Sequence, residues 1–278
     1  MQMDTVEIGI SPCPNDTFIF DAMIHGKVDT EGITFNPFFA DVEELNQRAF
    51  TQEFLVTKMS YFSYAFLTNT FVALNSGSAL GEGCGPLLIC HPDAYTKPVH
   101  SLKTAIPGKY TTAHLLLSLA FPGISRKQEM LFTEIEGAIL SGEVDAGAII
   151  HENRFTYKKK GLLKKADLGT WWETTSGLPI PLGGIFIQRE TSLEIRQLVN
   201  RVLKKSIKYA FENPESSRPF TKQHASELED SVIDQHIKLY VNQFSLDLGA
   251  RGKQAISALF KKAVEKNLVP ATHPNLFI

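Results

Sequence analysis

Ala146-Gly147-Ala148-Ile149-Ile150-His151-Glu152-Asn153-Arg154-Phe155-Thr156-Tyr157 joins two kinds of chemistry without a break. Its first five residues are small or β-branched, apolar and uncharged, the pattern of a strand buried on both faces. Dense polar side chains follow at once. A chain that leaves a buried strand this way sets them at the strand's carboxyl end, where open α/β sheets hold ligands. His151 is the first polar side chain out. Imidazole has an unperturbed pKa near neutrality, so His151 is a candidate general base. The plainer alternative is a histidine closing a strand end on a backbone carbonyl, and this stretch alone does not separate the two.

The same join recurs elsewhere in the chain. Residues 6–10 read as a strand, Ser11-Pro12-Cys13-Pro14-Asn15-Asp16 as a turn stiffened by two prolines, and 17–25 as a helix capped by Asn15 or Asp16. A rigid loop at a helix start suits an anion, which makes Ser11 and Asn15 candidate ligand contacts; a merely stiff capped turn is the competitor. Residues 41–50 form a helix with an Asp41 cap and apolar Val42, Leu45 and Ala49. A short strand over 54–56 runs into Thr57-Lys58-Met59-Ser60-Tyr61, and Lys58 could pair a ligand carboxylate. Residues 104–113 lead through Pro107-Gly108 to a helix at 114–121, with Thr111 or Thr112 able to cap it and donate. The glycine-rich 75–85 stretch lacks nucleotide-loop spacing and stays open between a surface turn and a cleft wall. Met130-Leu131-Phe132 reads as a strand. From Ser192 onward the chain is helical, with a break at Asn213-Pro214 and with His224 and His236 on solvated faces.

Composition narrows the class. The 278 residues are 43% hydrophobic and 21% charged, as expected of a soluble globular protein with a large core. A net charge of −2 gives no case for nucleic acid or an anionic membrane as partner. Three cysteines without a CxxC argue against a disulfide framework and a zinc ribbon. No secretory signal and no apolar run of membrane-spanning length are visible, so a cytoplasmic location is expected.

Alternating strands and helices imply an α/β protein with parallel strands. Two proline-containing connectors, near 88–102 and 170–182, bracket a middle segment with its own βαβαβ pattern. The expected division is one lobe from residues 1–90 plus 178–278 and a second from 91–177, hinged around a central cleft. The polar strand ends would face that cleft from both sides.

Six stretches, in order along nearly the whole chain, resemble one family. They are Ser11-Pro12-Cys13-Pro14-Asn15-Asp16-Thr17-Phe18, Thr57-Lys58-Met59-Ser60-Tyr61, Pro107-Gly108-Lys109-Tyr110-Thr111-Thr112-Ala113, Ile149-Ile150-His151-Glu152-Asn153-Arg154-Phe155-Thr156-Tyr157, Leu178-Pro179-Ile180-Pro181-Leu182-Gly183 and Val241-Asn242-Gln243-Phe244-Ser245-Leu246-Asp247-Leu248-Gly249. The chain resembles the 1,4-dihydroxy-6-naphthoate synthases of the futalosine pathway of menaquinone biosynthesis. The resemblance implies a two-lobed type II periplasmic-binding-protein fold working as an enzyme. It implies conversion of cyclic dehypoxanthine futalosine to 1,4-dihydroxy-6-naphthoate and dihydroxyacetone, with no cofactor and no metal. It places the proton acceptor at His151 and contacts to the aromatic carboxylate substrate at Lys58, Met59, Ser60, Thr112 and Ala113. Met59 stands where leucine is common, and Ser176 where threonine is frequent. Asn15 and Arg154 would orient the histidine, bind substrate hydroxyls or serve the fold alone. The oligomeric state is left open, a homodimer included.

Three rivals remain at this stage: a non-catalytic binding protein for small carboxylates, a chorismate dehydratase of the same pathway, and a Ser/His/Asp hydrolase using Ser11 or Ser60. The last lacks a GxSxG elbow.

Overall fold

The computed structural model describes residues 5–278. Strands β1 (Thr5–Ile10), β2 (Thr34–Phe39), β3 (Val56–Ser60), β4 (Phe71–Ala73) and β5 (Ala79–Gly81) build a first sheet. A second sheet takes β6 (Leu87–Cys90), β7 (Thr104–Ile106), β8 (Lys127–Glu129), β9 (Ala146–Ile149) and β10 (Leu163–Asp167), and the long β11 (Ile180–Gln188) returns to the first. The strand orders are β2-β1-β3-β11-β4, with β5 also on β11, and β10-β6-β9-β7-β8. Among the described residues the helices are α1 (Pro14–Ile24), α2 (Val42–Phe50), α3 (Tyr61–Phe66), α4 (Thr112–Ala120), α5 (Ile135–Leu140), α6 (Asn153–Thr156), α7 (Leu168–Ser176), α8 (Leu193–Glu212), α9 (Arg218–His224), α10 (Asp230–Tyr240), α11 (Gln243–Leu246) and α12 (Gly249–Glu265). None of them is long and apolar enough to cross a membrane.

The fold is α/β as expected, but its sheets are mixed rather than parallel. β1 lies parallel to β2 and β3, and β7 parallel to β8 and β9. β11 is antiparallel to β3 and β4, and β6 is antiparallel to β9 and β10. These are the strands on which the chain passes between sheets. A strand reached from the other sheet is free of the helical crossover that imposes parallel pairing. Leu87–Cys90, left with the first lobe on sequence, therefore hydrogen-bonds into the second sheet. The supposed second connector, 170–182, is most of helix α7, a short turn and the start of β11. The strand expected at Met130-Leu131-Phe132 lies just before it, at the edge strand Lys127–Glu129, whose polar residues give no apolar run to read.

Helix α1 starts three residues earlier than its apolar run suggests. Cys13 is its extended N-cap and Pro14 its first residue, a position where the missing N–H costs nothing. Asn15 and Asp16 thus sit inside the first turn instead of capping it. The helix is buried from Pro14 to Met23, so its polar side chains need internal partners. Its apolar ones, Phe18, Ile19 and Phe20, pack with Ile8, Val56, Ile185, Val202 and Ile207 of β1, β3, β11 and α8. Each such buried side chain contributes about 1.5–3 kcal/mol. A larger core joins the two sheets beneath the cleft, with Leu116, Ala148 and Trp172 against Tyr64, Phe186 and Phe260. At one close approach, a Cβ on Gly85 would stand 2.2 Å from Gly169 Cα, so the segment leading into β6 meets α7 through two glycines.

Candidate active site

The carboxyl ends of β3 and β9 and the N-terminal turns of α1 and α4 converge on one cavity open to solvent. Asn15, Lys58 and Ser60 line it from the first sheet's side, and Thr112, Ala113 and His151 from the second's. Ala79 of β5, Cys84 and Pro86 complete a wall, so the glycine-rich stretch serves as cleft wall. Two expected contacts fall elsewhere. Met59 is fully buried in the core, because side chains alternate across β3 and its neighbours Lys58 and Ser60 take the cavity face. Ser11 is 1% exposed and stands behind the wall.

His151 follows β9 with φ at +55°, a left-handed conformation uncommon for a residue with a side chain. That turn re-aims the chain at the strand end, and such departures cluster at functional positions. Its ring packs edge-on to Phe132 at 4.9 Å, and its Nδ1 lies 3.6 Å from Cys13 Sγ. Burial, with the Lys58 charge second, pulls the imidazole down to about 4, Asp16 opposing. The ring is therefore neutral at physiological pH and able to accept a proton. Cys13 is not a matching nucleophile: burial, then the Glu152 charge, pushes its thiol up to about 12.

Behind the wall, Asp16 organises the site. Its Oδ2 accepts the Ser11 N–H at 3.1 Å and the Ser11 hydroxyl at 2.7 Å. Its Oδ1 accepts the Asn15 amide at 2.7 Å and the Lys58 ammonium. Asp16 is fully buried and Lys58 only 5% exposed, so the pair shares a low-dielectric interior. Lys58 is therefore already neutralised and is no free cation awaiting a carboxylate. With Ser11 committed to Asp16 and Ser60 bonded to Asn46, no serine hydroxyl reaches His151 among the described residues. The hydrolase reading loses its geometry.

Across the cavity, Thr111 caps α4 by accepting from His114 N, as the sequence suggests. The Thr112 hydroxyl is not turned to a ligand; it donates to Leu182 O at 2.6 Å. The free donors are the backbone N–H groups of Thr112 and Ala113, which find no partner among the described residues. Two first-turn N–H groups lining a cavity suit a carboxylate. Arg154 clamps the carbonyls of Gly83 and Gly85 and thereby holds the Cys84 wall, remote from the imidazole. Among the described residues no group of three or more His, Cys, Asp or Glu side chains is placed to hold a metal ion.

Two features escape the sequence reading. His236, expected on a solvated face, is wholly buried, stacked on His151 and 2.9 Å from Asn15 Oδ1. Glu43 on α2 accepts the Tyr110 N–H of the α4 loop at 3.1 Å and the Asn46 amide at 3.1 Å. Asn46 in turn accepts from Ser60 N at 2.8 Å, so this pair fixes a cavity residue. Gly108 packs on Glu43 with φ at +136°, where a Cβ would stand 2.5 Å from Glu43 Cγ. Burial pushes the Glu43 carboxyl up to about 7 despite these donors. Between the unfolded carboxylate value of 4.5 and 7 the folded state binds the extra proton. The stability from that proton is full below 4.5 and lost as pH rises through 7. Replacing Glu43 by Gln keeps an acceptor for Tyr110 and removes the titration. In thermal melts from pH 4.5 to 7.5, Glu43→Gln should gain on the wild type as pH rises; a constant offset would rule out the coupling.

A family model described as menaquinone biosynthesis matches residues 6–265. A 1,4-dihydroxy-6-naphtoate synthase of Thermus thermophilus is 41% identical over 276 residues, covering 99% of this chain and all of the relative. A protein of the same name from Streptomyces coelicolor is 42% identical, covering 99% and 98% of the two chains. Among solved structures, a protein of Archaeoglobus fulgidus superposes with a TM-score of 0.89 at 33% identity, covering 97% of this chain and all of that one. The alkanesulfonate-binding protein of Xanthomonas axonopodis pv. citri gives 0.71 at 16% identity, over 98% and 96% of the two chains. That last likeness is one of fold and shows the periplasmic-binding-protein architecture. The family match and the full-length identity together show that the chain belongs to the 1,4-dihydroxy-6-naphthoate synthase family of menaquinone biosynthesis.

Proposed function

We propose that the protein is a carbon–carbon lyase that converts cyclic dehypoxanthine futalosine to 1,4-dihydroxy-6-naphthoate and dihydroxyacetone, with His151 as general base. One observation carries this reading: the His151 imidazole lines the same cavity as two free N–H groups at the start of α4. The N–H groups of Thr112 and Ala113 hold the substrate's aromatic carboxylate, and Ser60, fixed by Asn46, donates its hydroxyl from the facing wall. Ionic attraction from Lys58 is spent on Asp16, so the carboxylate is held by dipoles and hydrogen bonds.

The chemistry follows from the base. His151 takes a proton from the bound substrate, the freed pair becomes a new double bond, the carbon–carbon bond breaks with its pair moving toward the ring carbonyl, the three-carbon fragment leaves, and the imidazolium returns the proton to the ring oxygen. The product gains aromaticity, which drives the step. A base held near 4 is weak, but it is wholly unprotonated at neutral pH and already positioned; such general-base action contributes about 10²–10⁴ in rate. The two lobes, one built on each sheet with Leu87–Cys90 in the second, close over the substrate and exclude water. Hydrogen bonds from Tyr110 N–H to Glu43, from the Thr112 hydroxyl to Leu182 O and from Phe62 N–H to the Thr112 hydroxyl join them. The Met59 side chain supports the strand from the core side.

The direct test incubates purified protein with cyclic dehypoxanthine futalosine and follows naphthoate absorbance with dihydroxyacetone release. Equal amounts of the two products are expected. Binding with the ligand recovered intact would point to a carboxylate-binding protein, and dehydration of chorismate in a parallel sample would point to the other pathway step.

A further inference from the structure

His236 lies on α10, fully buried, with its ring 7° from parallel to His151 at a centroid separation of 6.0 Å. Tyr240, one turn on, packs at 4.7 Å and itself lines the cavity. The hydrogen positions follow from the partners. A carboxylate offers only acceptors, so the Asn15 atom 2.7 Å from Asp16 Oδ1 is the amide nitrogen. The remaining terminal atom is then the carbonyl oxygen, and it stands 2.9 Å from His236 Nε2. A carbonyl only accepts, so His236 carries its proton on Nε2 and donates it. Nδ1 is left as a lone pair with no partner among the described residues. Burial, then His151 and Lys58, holds this imidazole well below its usual value, so the tautomer persists at neutral pH.

We propose that His236 is a positioning residue: its Nε2–H pins the Asn15 carbonyl into the wall, which turns the second Asn15 N–H to the cavity as a donor to a hydroxyl or carbonyl oxygen of the substrate. This rests on the synthase reading and deepens it. The Asn15 amide has one N–H on Asp16 and no other partner for the second. Asn15 lines the cavity. Without the histidine, a single hydrogen bond leaves the amide free to rotate about it. A carbonyl swung into the cavity would then set a lone pair against the substrate oxygen. A buried acceptor left unpaired is unfavourable, so packing alone gives no reason for a histidine here. The donor function does.

Side-chain length supplies a discriminating pair of variants. Glutamine places its amide nitrogen near the position of imidazole Nε2, and asparagine near that of Nδ1. Steady-state kinetics on cyclic dehypoxanthine futalosine would compare the wild type with H236F, H236Q, H236N, N15A and the H236F/N15A double variant. Because Asn15 contacts substrate in ground and transition states alike, the loss should fall on KM. H236F and H236N are expected to raise KM about tenfold with kcat within about threefold, the size of one misplaced hydrogen bond. H236Q should lie within about threefold of the wild type in both constants. In the N15A background, H236F should add nothing further.

An H236F effect of undiminished size in N15A would overturn the proposal, and so would rescue by asparagine equal to that by glutamine. If H236F fails to fold, judged by circular dichroism, the glutamine–asparagine comparison decides alone. Absence of wild-type turnover would overturn the synthase reading and this proposal with it, whereas wild-type turnover with additive variants overturns only the role of His236.

Discussion

His151→Ala should retain the fold and lose about 10²–10⁴ of kcat, the contribution of a positioned general base. Retention of the fold is expected because the ring lines the cavity and makes a single polar contact, to Cys13. Alanine keeps the Cβ and so meets the same left-handed backbone cost at φ +55°, and the melting temperature should move little. Binding of the product should survive, since the α4 N–H groups proposed to hold its carboxylate are unchanged. A variant with near-normal kcat would remove His151 from the chemistry. A variant that neither binds product nor melts cooperatively would mean the residue is structural.

Asp16→Asn should be the most destabilising single change at the site. It leaves the Lys58 ammonium buried without a counter-charge and sets an amide N–H toward donors from Ser11, Asn15 or Lys58. Breaking a buried ion pair from one side costs about 3–5 kcal/mol. For a chain of this size that lowers Tm by on the order of 10 °C. Removing both charges in Asp16→Asn/Lys58→Met should recover part of the loss, because no uncompensated charge remains. Melting curves of the wild type, both single variants and the double variant decide this. A single Asp16→Asn change within about 2 °C of the wild type would show that the pair carries little, against the cost of one-sided removal. Lys58→Met has a second signature. Loss of the positive charge favours protonated His151, so the acid limb of kcat/KM should move upward from about 4.

Much of this was legible in the chain. The Asp41 cap, the strand that leads into His151, and the helix break at Asn213-Pro214 are local signals, and the structure has them where local chemistry puts them. The helix start at Pro14 was masked because Asn15 and Asp16 look like caps, while proline at the first position is the stronger signal. The antiparallel entry of β6 and β11 has no local marker, since direction is decided by where the chain comes from. Met59 follows from alternation once β3 is known to extend through Ser60.

The partnership of His236 with Asn15 spans 221 residues and has no local trace. Its burial did have one. Val232, Ile233, His236 and Tyr240 fall on one helical face, so the histidine stands in an apolar stripe rather than opposite it. Asn46 sits likewise beside Val42, Leu45 and Ala49 on the buried face of α2. Polar residues inside an apolar stripe must find partners, and those partners, Asn15 and Ser60, line the cavity.

The central claim is that a neutral, protein-enclosed imidazole removes a proton from the bound substrate. The measurement closest to it is kcat/KM against pH from 3.5 to 8 for the wild type and His151→Ala, which reports the free enzyme's base. The wild type should hold a plateau through neutrality and fall only as pH approaches about 4, where His151 protonates. The variant should run far below it with no such limb. A wild-type limb at the ordinary imidazole value of 6.5, or the same limb surviving in the variant, would contradict the account.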